Sequence, residues 1–235
     1  MEKAVLSWSG GKDSALCLYE LRQSGAWEVV GLLTTVTEDY GRVSMHGVRN
    51  ALLAMQADAL GLPLVRVSIP ADCSNEDYER RMQEVLEQEA AVGVSSVAFG
   101  DIFLEDLRRY RESRLQEVSL KAVFPLWKRE TRELARSFVG LGFKAVVTCV
   151  DSSALDGRFA GRDFDESFLR DLPEGVDPCG ENGEFHSFVW DGPIFARPVP
   201  IRRGKVVVRE GRFWFCDLLP GVKGPTRRAG RPGLP

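Results

Sequence analysis

Histidine is nearly absent from this chain, with only His46 and His186 among 235 residues. The five cysteines (Cys17, Cys73, Cys149, Cys179 and Cys216) are scattered and form neither a C-x-x-C pair nor a zinc-like spacing. A zinc finger and a disulfide scaffold are therefore excluded, and reduced thiols are expected. No apolar run approaches the roughly 18 residues a membrane span requires. The start of the chain lacks the charged-then-apolar pattern of a secretory signal. No membrane association and a cytoplasmic location are expected. The net charge is only −3, which gives no general attraction for polyanions, so nucleic acid is not expected as a main partner. No internal repeat is present. At 44% hydrophobic content the chain can bury the core of one large domain or two small ones.

Up to about residue 150, short β-branched runs alternate with helix-like stretches, the pattern of βαβ units and a parallel sheet. Strands are expected at 4–9, 29–36, 64–69, 96–100, 120–126 and 144–150, with helices at 14–24, 48–60, 75–92, 104–118 and 130–141. Beyond Asp151 the rhythm breaks into a short helix at 164–172, a Pro/Gly-rich loop at 173–183, and strands at 185–190, 194–201, 205–208 and 212–217. The last two strands are joined at Glu210-Gly211 as a hairpin. The expected organisation is an α/β domain over 1–150, a smaller α+β domain over 151–220, and a disordered basic tail over 221–235.

Between the first strand and the first helix lies Ser9-Gly10-Gly11-Lys12-Asp13-Ser14. Glycines at such a junction let backbone N–H groups approach an anion, and the helix N-terminus adds partial positive charge. A plain tight turn uses the same residue types. Two common phosphate loops do not fit. Leu6 stands where G-x-x-x-x-G-K-[ST] needs its first glycine, Asp13 follows the lysine, and adjacent glycines without a third break G-x-G-x-x-G. The stretch instead resembles the S-G-G-x-D-S PP-loop of the ATP pyrophosphatases, in which ATP is cleaved between its α and β phosphates. That resemblance implies an adenine-nucleotide α-hydrolase-like (HUP-type) sheet with ATP and Mg²⁺. Ser9, Gly10, Gly11 and Ser14 would hold the pyrophosphate, Lys12 would add charge, and Asp13 would be the metal ligand.

Four further stretches narrow the resemblance: Ser44-Met45-His46-Gly47, Gly100-Asp101-Ile102, Phe124-Pro125-Leu126-Trp127 and Gly180-Glu181-Asn182-Gly183-Glu184-Phe185-His186. As a set, over roughly residues 1 to 220, they are similar to the diphthine–ammonia ligase family. That family adenylates the carboxylate of diphthine, a modified histidine of translation elongation factor 2, and lets ammonia displace AMP. The resemblance implies contacts from His46, Gly100 and Asp101 to ATP, and catalytic roles for Lys12, Asp13, Glu181 and Glu184. The two glutamates would bind ammonium or act as general base, and Asn182, Glu184, His186 and Trp127 would meet the acyl substrate. Blander roles stay open: a hairpin tip for the glutamates, a packing corner for Trp127, and a strand-ending turn for Gly100-Asp101. The partners expected are ATP, ammonia and a carboxylate substrate, which is diphthine where the source makes it and another acid where it does not. A homodimer is left open.

Two rival readings share the fold. Sulfur transfer to tRNA needs a reactive cysteine pair or an iron–sulfur site, and no such cysteine pattern is present. A regulator that holds ATP without cleaving it would not need Lys12, Asp13 and both loop serines intact.

Overall fold

The computed structural model describes residues 1–37, 42–43, 48–70 and 72–221. His46 and the tail from 222 lie outside these residues.

Five parallel strands form the first sheet: β1 (Glu2–Ser7), β2 (Trp27–Thr37), β4 (Leu64–Ile69), β5 (Ser96–Ala98) and β6 (Lys121–Val123). Their spatial order is β4-β2-β1-β5-β6, and the two-residue β3 (Arg42–Val43) pairs antiparallel with the end of β2. The chain winds outward from β1 in one direction and then restarts at β5 on its other side. This switch opens a crevice at the carboxyl ends of β1 and β5. The expected α/β sheet is therefore borne out.

Ala4, Val5 and Leu6 are all fully buried because both faces of β1 are covered, which is why a parallel strand reads as an unbroken apolar run. Period-2 alternation sends Val5 to a core under α3 (Asn75–Ala91) and α4 (Glu105–Glu117), with Leu86 and Leu115. Leu6 enters the opposite core under α1 (Lys12–Ser24) and α2 (Asn50–Leu60). The helix ends follow local chemistry. Ser74 caps α3 by accepting from the Asp77 N–H, and Gly25 ends α1 at φ 63°, a left-handed conformation that suits glycine.

The second sheet is antiparallel, in the order β8-β7-β10-β9, and comprises β7 (Lys144–Asp151), β8 (Phe185–Asp191), β9 (Ile201–Arg209) and β10 (Phe213–Pro220). Two sequence expectations are corrected here. The strand at 144–150 does not extend the parallel sheet. As β7 it pairs antiparallel with β8 and β10. A fully buried run such as Ala145–Val150 has the same pattern in the centre of either sheet, so periodicity cannot assign it. The run 194–201 is not a strand. Pro198 and Pro200 lack the N–H that a ladder requires, and β9 begins only at Ile201. The hairpin at Glu210-Gly211 forms as expected, with both residues at positive φ (52° and 63°).

Helices α5 (Thr131–Gly140) and α6 (Glu166–Asp171) close this half over a phenylalanine core. Phe138 stacks on Phe143 at 4.7 Å between centroids and meets Phe164 edge-on. β8 then docks on the first half. The Val189 N–H donates to the Gly10 carbonyl at 2.9 Å and the Ala196 N–H to the Ala59 carbonyl at 2.8 Å.

Candidate active site

The Ser9–Ser14 turn leaves the carboxyl end of β1 and enters α1. Gly10 has φ +80°, which L side chains rarely adopt. The Ser9 Oγ accepts from the Gly11 N–H at 3.2 Å, and the Ser14 Oγ donates back to the Gly11 carbonyl at 2.9 Å. The N-cap residue Gly11 has no side chain to cap α1; the first amide of the helix, on Lys12, is taken by the Ser187 Oγ of β8.

Lys12 points inward and is buried. Its Nζ donates to both oxygens of Asp13 (2.8 and 2.7 Å) and to the Cys179 carbonyl. Burial opposes its charge, but Asp13 and Glu181 more than offset that, so the ammonium is held above its ordinary value. Asp13 is pushed up, chiefly by burial and also by Asp177, with Lys12 opposing. Asp13 is nonetheless 31% exposed, so its carboxylate remains reachable from the crevice.

Gly100 lies where β5 meets the turn. A Cβ there would sit 2.9 Å from the Asp13 backbone carbon and oxygen and 3.1 Å from the Ser14 nitrogen, so the glycine lets β5 pack directly on the start of α1. Asp101 pairs with Arg111 at 3.2 Å, and Arg111 covers the Phe99 ring at 4.2 Å. Burial raises Asp101, with Arg111 opposing.

The 177–184 loop crosses the crevice from the second half. The Glu181 Oε1 accepts from the Ile102 N–H at 2.8 Å, just after Gly100-Asp101. Burial, reinforced by Asp13 and Asp101, pushes the Glu181 carboxyl up to about 7, although the Ile102 N–H and Lys12 favour its ionised form. Glu184 is arranged differently. Its buried carboxylate accepts from the N–H groups of Asp177 and Asn182 (3.1 Å each) and from Asn182 Nδ2 (3.0 Å), so it ties the loop together. Asn182 is exposed and spends its side chain on Glu184. His186 is part-buried and held down at about 4, mainly by burial and then by Lys12, so it is neutral near pH 7. Trp127 packs against Phe124 at 5.7 Å, and the Arg108 guanidinium lies 4.6 Å from its ring centroid.

Because folding raises the Glu181 pKa from 4.5 to about 7, the folded state prefers the protonated carboxyl. That contribution is complete below about 4.5 and is lost as pH rises through 7. Glu181→Gln should therefore gain stability over the natural protein between about pH 5 and pH 8. After discounting for solvent screening of a part-exposed group, the gain is about 1 kcal/mol, or about 2–4 °C in Tm. Melting curves across that range check it, and a gap that does not change with pH would count against the shift.

Several participants carried no sequence motif. Gln56, fully buried in α2, accepts from Trp8 Nε1 at 2.9 Å and donates to the carbonyls of Gly10 (3.0 Å) and Val189 (2.6 Å). The Ser187 Oγ accepts from the Lys12 N–H at 3.2 Å, and the Cys179 carbonyl holds Lys12 Nζ. A lone glutamine inside the apolar run Ala51–Leu60 was the one available signal for Gln56. Beside the turn, a cavity of about 630 Å³ opens between α3 and α4, with Ser9, Thr34, Thr35, Phe99 and Arg111 among its walls.

A parallel sheet with its switch point between β1 and β5, carrying a Ser-Gly-Gly-Lys-Asp-Ser turn at that point, defines a nucleotide-binding protein of the PP-loop type. Residues 1–122 match the family model of the diphthamide synthase N-terminal domain, and residues 130–218 match that of the diphthamide synthase C-terminal domain. The chain belongs to the diphthamide synthase family. It is 26% identical over 228 residues to a human diphthine–ammonia ligase, covering 86% of this chain and 84% of the relative. It is 27% identical over 227 residues to that of Danio rerio, covering 86% and 87%. The Schizosaccharomyces pombe diphthine–ammonia ligase is 25% identical over 229 residues, covering 89% of this chain but 38% of the relative. No helix among the described residues is long and apolar enough to cross a membrane.

Proposed function

We propose that this protein is an ATP-dependent amide-forming ligase that adenylates a carboxylate and transfers the acyl group to ammonia, with diphthine on elongation factor 2 as substrate where the source makes it. The observation that carries the reading is the Ser9–Ser14 turn, with its buried, charged Lys12 in electrostatic reach of Glu181. The cavity between α3 and α4 has the size of a nucleoside site and takes the adenosine. Asp101 reaches that cavity only through Arg111, its ion-pair partner in the cavity wall, and His46 is assigned to the phosphates or ribose. The substrate carboxylate attacks the α-phosphorus, the α–β bond breaks, and pyrophosphate leaves against Lys12, the turn amides and the two serines. Ammonia then attacks the acyl carbon and AMP departs. Glu181, with a carboxyl near 7, is placed in its tuning range to take the proton from ammonium. Glu184 holds the Glu181 loop, while Asn182, His186 and Trp127 border the acyl group.

Among the described residues no three His, Cys, Asp or Glu side chains converge as a metal cage. Mg²⁺ usually takes one or two carboxylates plus substrate phosphates, and the part-exposed Asp13 fits that requirement. When bound, the ion supplies charge neutralisation for the phosphates. A two-unit organisation, ATP-binding then substrate-facing, belongs to the same reading, with the boundary before α5 rather than at residue 150, because α5 and β7 pack in the second half.

The thiols speak against sulfur transfer. Burial pushes Cys149 and Cys179 up to about 12 and also raises Cys17 and Cys216, so none of these four is a ready thiolate. The test is AMP release from α-labelled ATP with ¹⁵N-ammonium and diphthine-bearing elongation factor 2 or a pool of cellular acids. AMP formation coupled to ¹⁵N-amide is expected, and no AMP under any condition would overturn the ligase reading.

A further inference from the structure

Strand β9 lies at the end of the second sheet and, among the described residues, pairs with β10 alone. Its outward edge is thus a template for another strand, a hazard that proteins usually blunt. The nine residues Ile201–Arg209 carry four cations (Arg202, Arg203, Lys205, Arg209) and no acid. Arg203 is tied to Asp163, while Arg202, Lys205 and Arg209 make no ion pair with any described residue. Beside them Val206, Val207 and Val208 are 43%, 40% and 45% exposed, unusual for three successive valines. A groove of about 480 Å³ lies over the face that β9 shares with β10, lined by Arg202, Lys205 and Arg209 of β9, by Phe215 and Asp217 of β10, and by Thr148 of β7. The Thr148 Oγ1 donates to the His186 carbonyl at 3.3 Å, and the next residue, Ser187, binds the Lys12 N–H. The groove therefore ends one strand away from the candidate cleft.

Such an edge can accept a second copy of this chain or a different protein. Antiparallel self-pairing would bring two acid-free, fourfold cationic strands together, which disfavours a second copy. We propose that the free edge of β9 and its groove dock an acidic, extended segment of the protein that bears the reacting carboxylate, by strand addition. Main-chain hydrogen bonds along β9 supply affinity, the valines meet alternate apolar side chains, and Arg202, Lys205 and Arg209, which make no ion pair among the described residues, select acidic neighbours. This deepens the ligase reading, because it requires the substrate acid to be carried on a polypeptide.

The test uses the full chain without ATP and short labelled peptides alternating glutamate–valine, serine–valine or lysine–valine. Fluorescence anisotropy should show the glutamate–valine peptide binding in a salt-sensitive manner, and about tenfold more weakly to R202E/K205E/R209E, whose positions are exposed on a strand separated from β8 by β10 and β7. Hydrogen exchange should slow along 201–209 when that peptide binds. Equal affinity of the variant, equal binding of the lysine–valine peptide, unchanged exchange along β9, or a dimer of the free protein with β9 already protected would each overturn the proposal. Peptide binding that persists while no AMP forms under any condition would uphold docking and overturn only the ligase reading.

Discussion

Lys12→Met is expected to lower AMP formation from ATP by about 10²–10³-fold at saturating ATP, as read by release of labelled AMP. The ammonium is buried at the start of α1, where solvent screens its charge little, and it bonds Asp13 and the Cys179 carbonyl at the mouth of the turn. Negative charge grows on the departing pyrophosphate in that place, so the loss falls on the transition state more than on ATP binding. Methionine keeps the length and apolar stem of the side chain. The Asp13 left behind is part-exposed, so its charge can be hydrated and the fold should persist. Lys12→Arg should be nearly as poor, because the buried site holds a compact ammonium between Asp13 and the Cys179 carbonyl, and a larger planar guanidinium does not reproduce that point charge. Asp13→Ala is the less clean experiment. It strands a buried ammonium against one carbonyl, and breaking such a pair typically costs about 3–5 kcal/mol. A Lys12→Met enzyme within about tenfold of the natural rate would remove Lys12 from the chemistry.

The parts of this structure that the sequence made legible are those in which local chemistry and long-range packing agree. The strand–glycine–helix junction at Ser9–Ser14 needs a left-handed Gly10 and a helix start, and both are visible in the letters. The same holds for the Glu210-Gly211 hairpin. β7 was not legible as a member of the second sheet, because a strand buried on both faces has one pattern whatever its neighbours' direction. Glu181 and Glu184 looked equivalent in the sequence. Folding separates them: one carboxylate crosses the crevice to the Ile102 N–H, and the other turns back on its own loop. Gly100 was read in the sequence as an ATP contact or a strand-ending turn, and the close approach that requires it, to the backbone of Asp13 and Ser14, emerged only in three dimensions.

Gln56→Leu is expected to cost about 2–4 kcal/mol, lowering Tm by about 5–12 °C, and to weaken ATP use beyond what the lost stability explains. This side chain is fully buried and ties α2 to two segments distant in sequence, residues 8–10 and β8. It accepts from the Trp8 indole at the end of β1, and donates to Gly10 in the turn and to Val189 on β8. Leucine nearly preserves the volume, so the cost comes from the polar groups left behind. The Gly10 carbonyl keeps its bond from the Val189 N–H, but Trp8 Nε1 and the Val189 carbonyl lose Gln56 as a partner, each loss costing about 1–3 kcal/mol. Gln56 also packs against the turn: a Cβ at Gly10 would lie 2.8 Å from its Oε1. With that brace gone, the left-handed Gly10 conformation is held less firmly and the turn amides lose their fixed aim at the phosphates. Differential scanning calorimetry and the KM for ATP, measured well below the variant's Tm, separate the two effects. A Tm within about 2 °C of the natural protein would mean that the buried groups find other partners. A normal KM alongside a lowered Tm would mean that β8 and Ser9 alone hold the turn, leaving Gln56 a purely structural link between the two sheets.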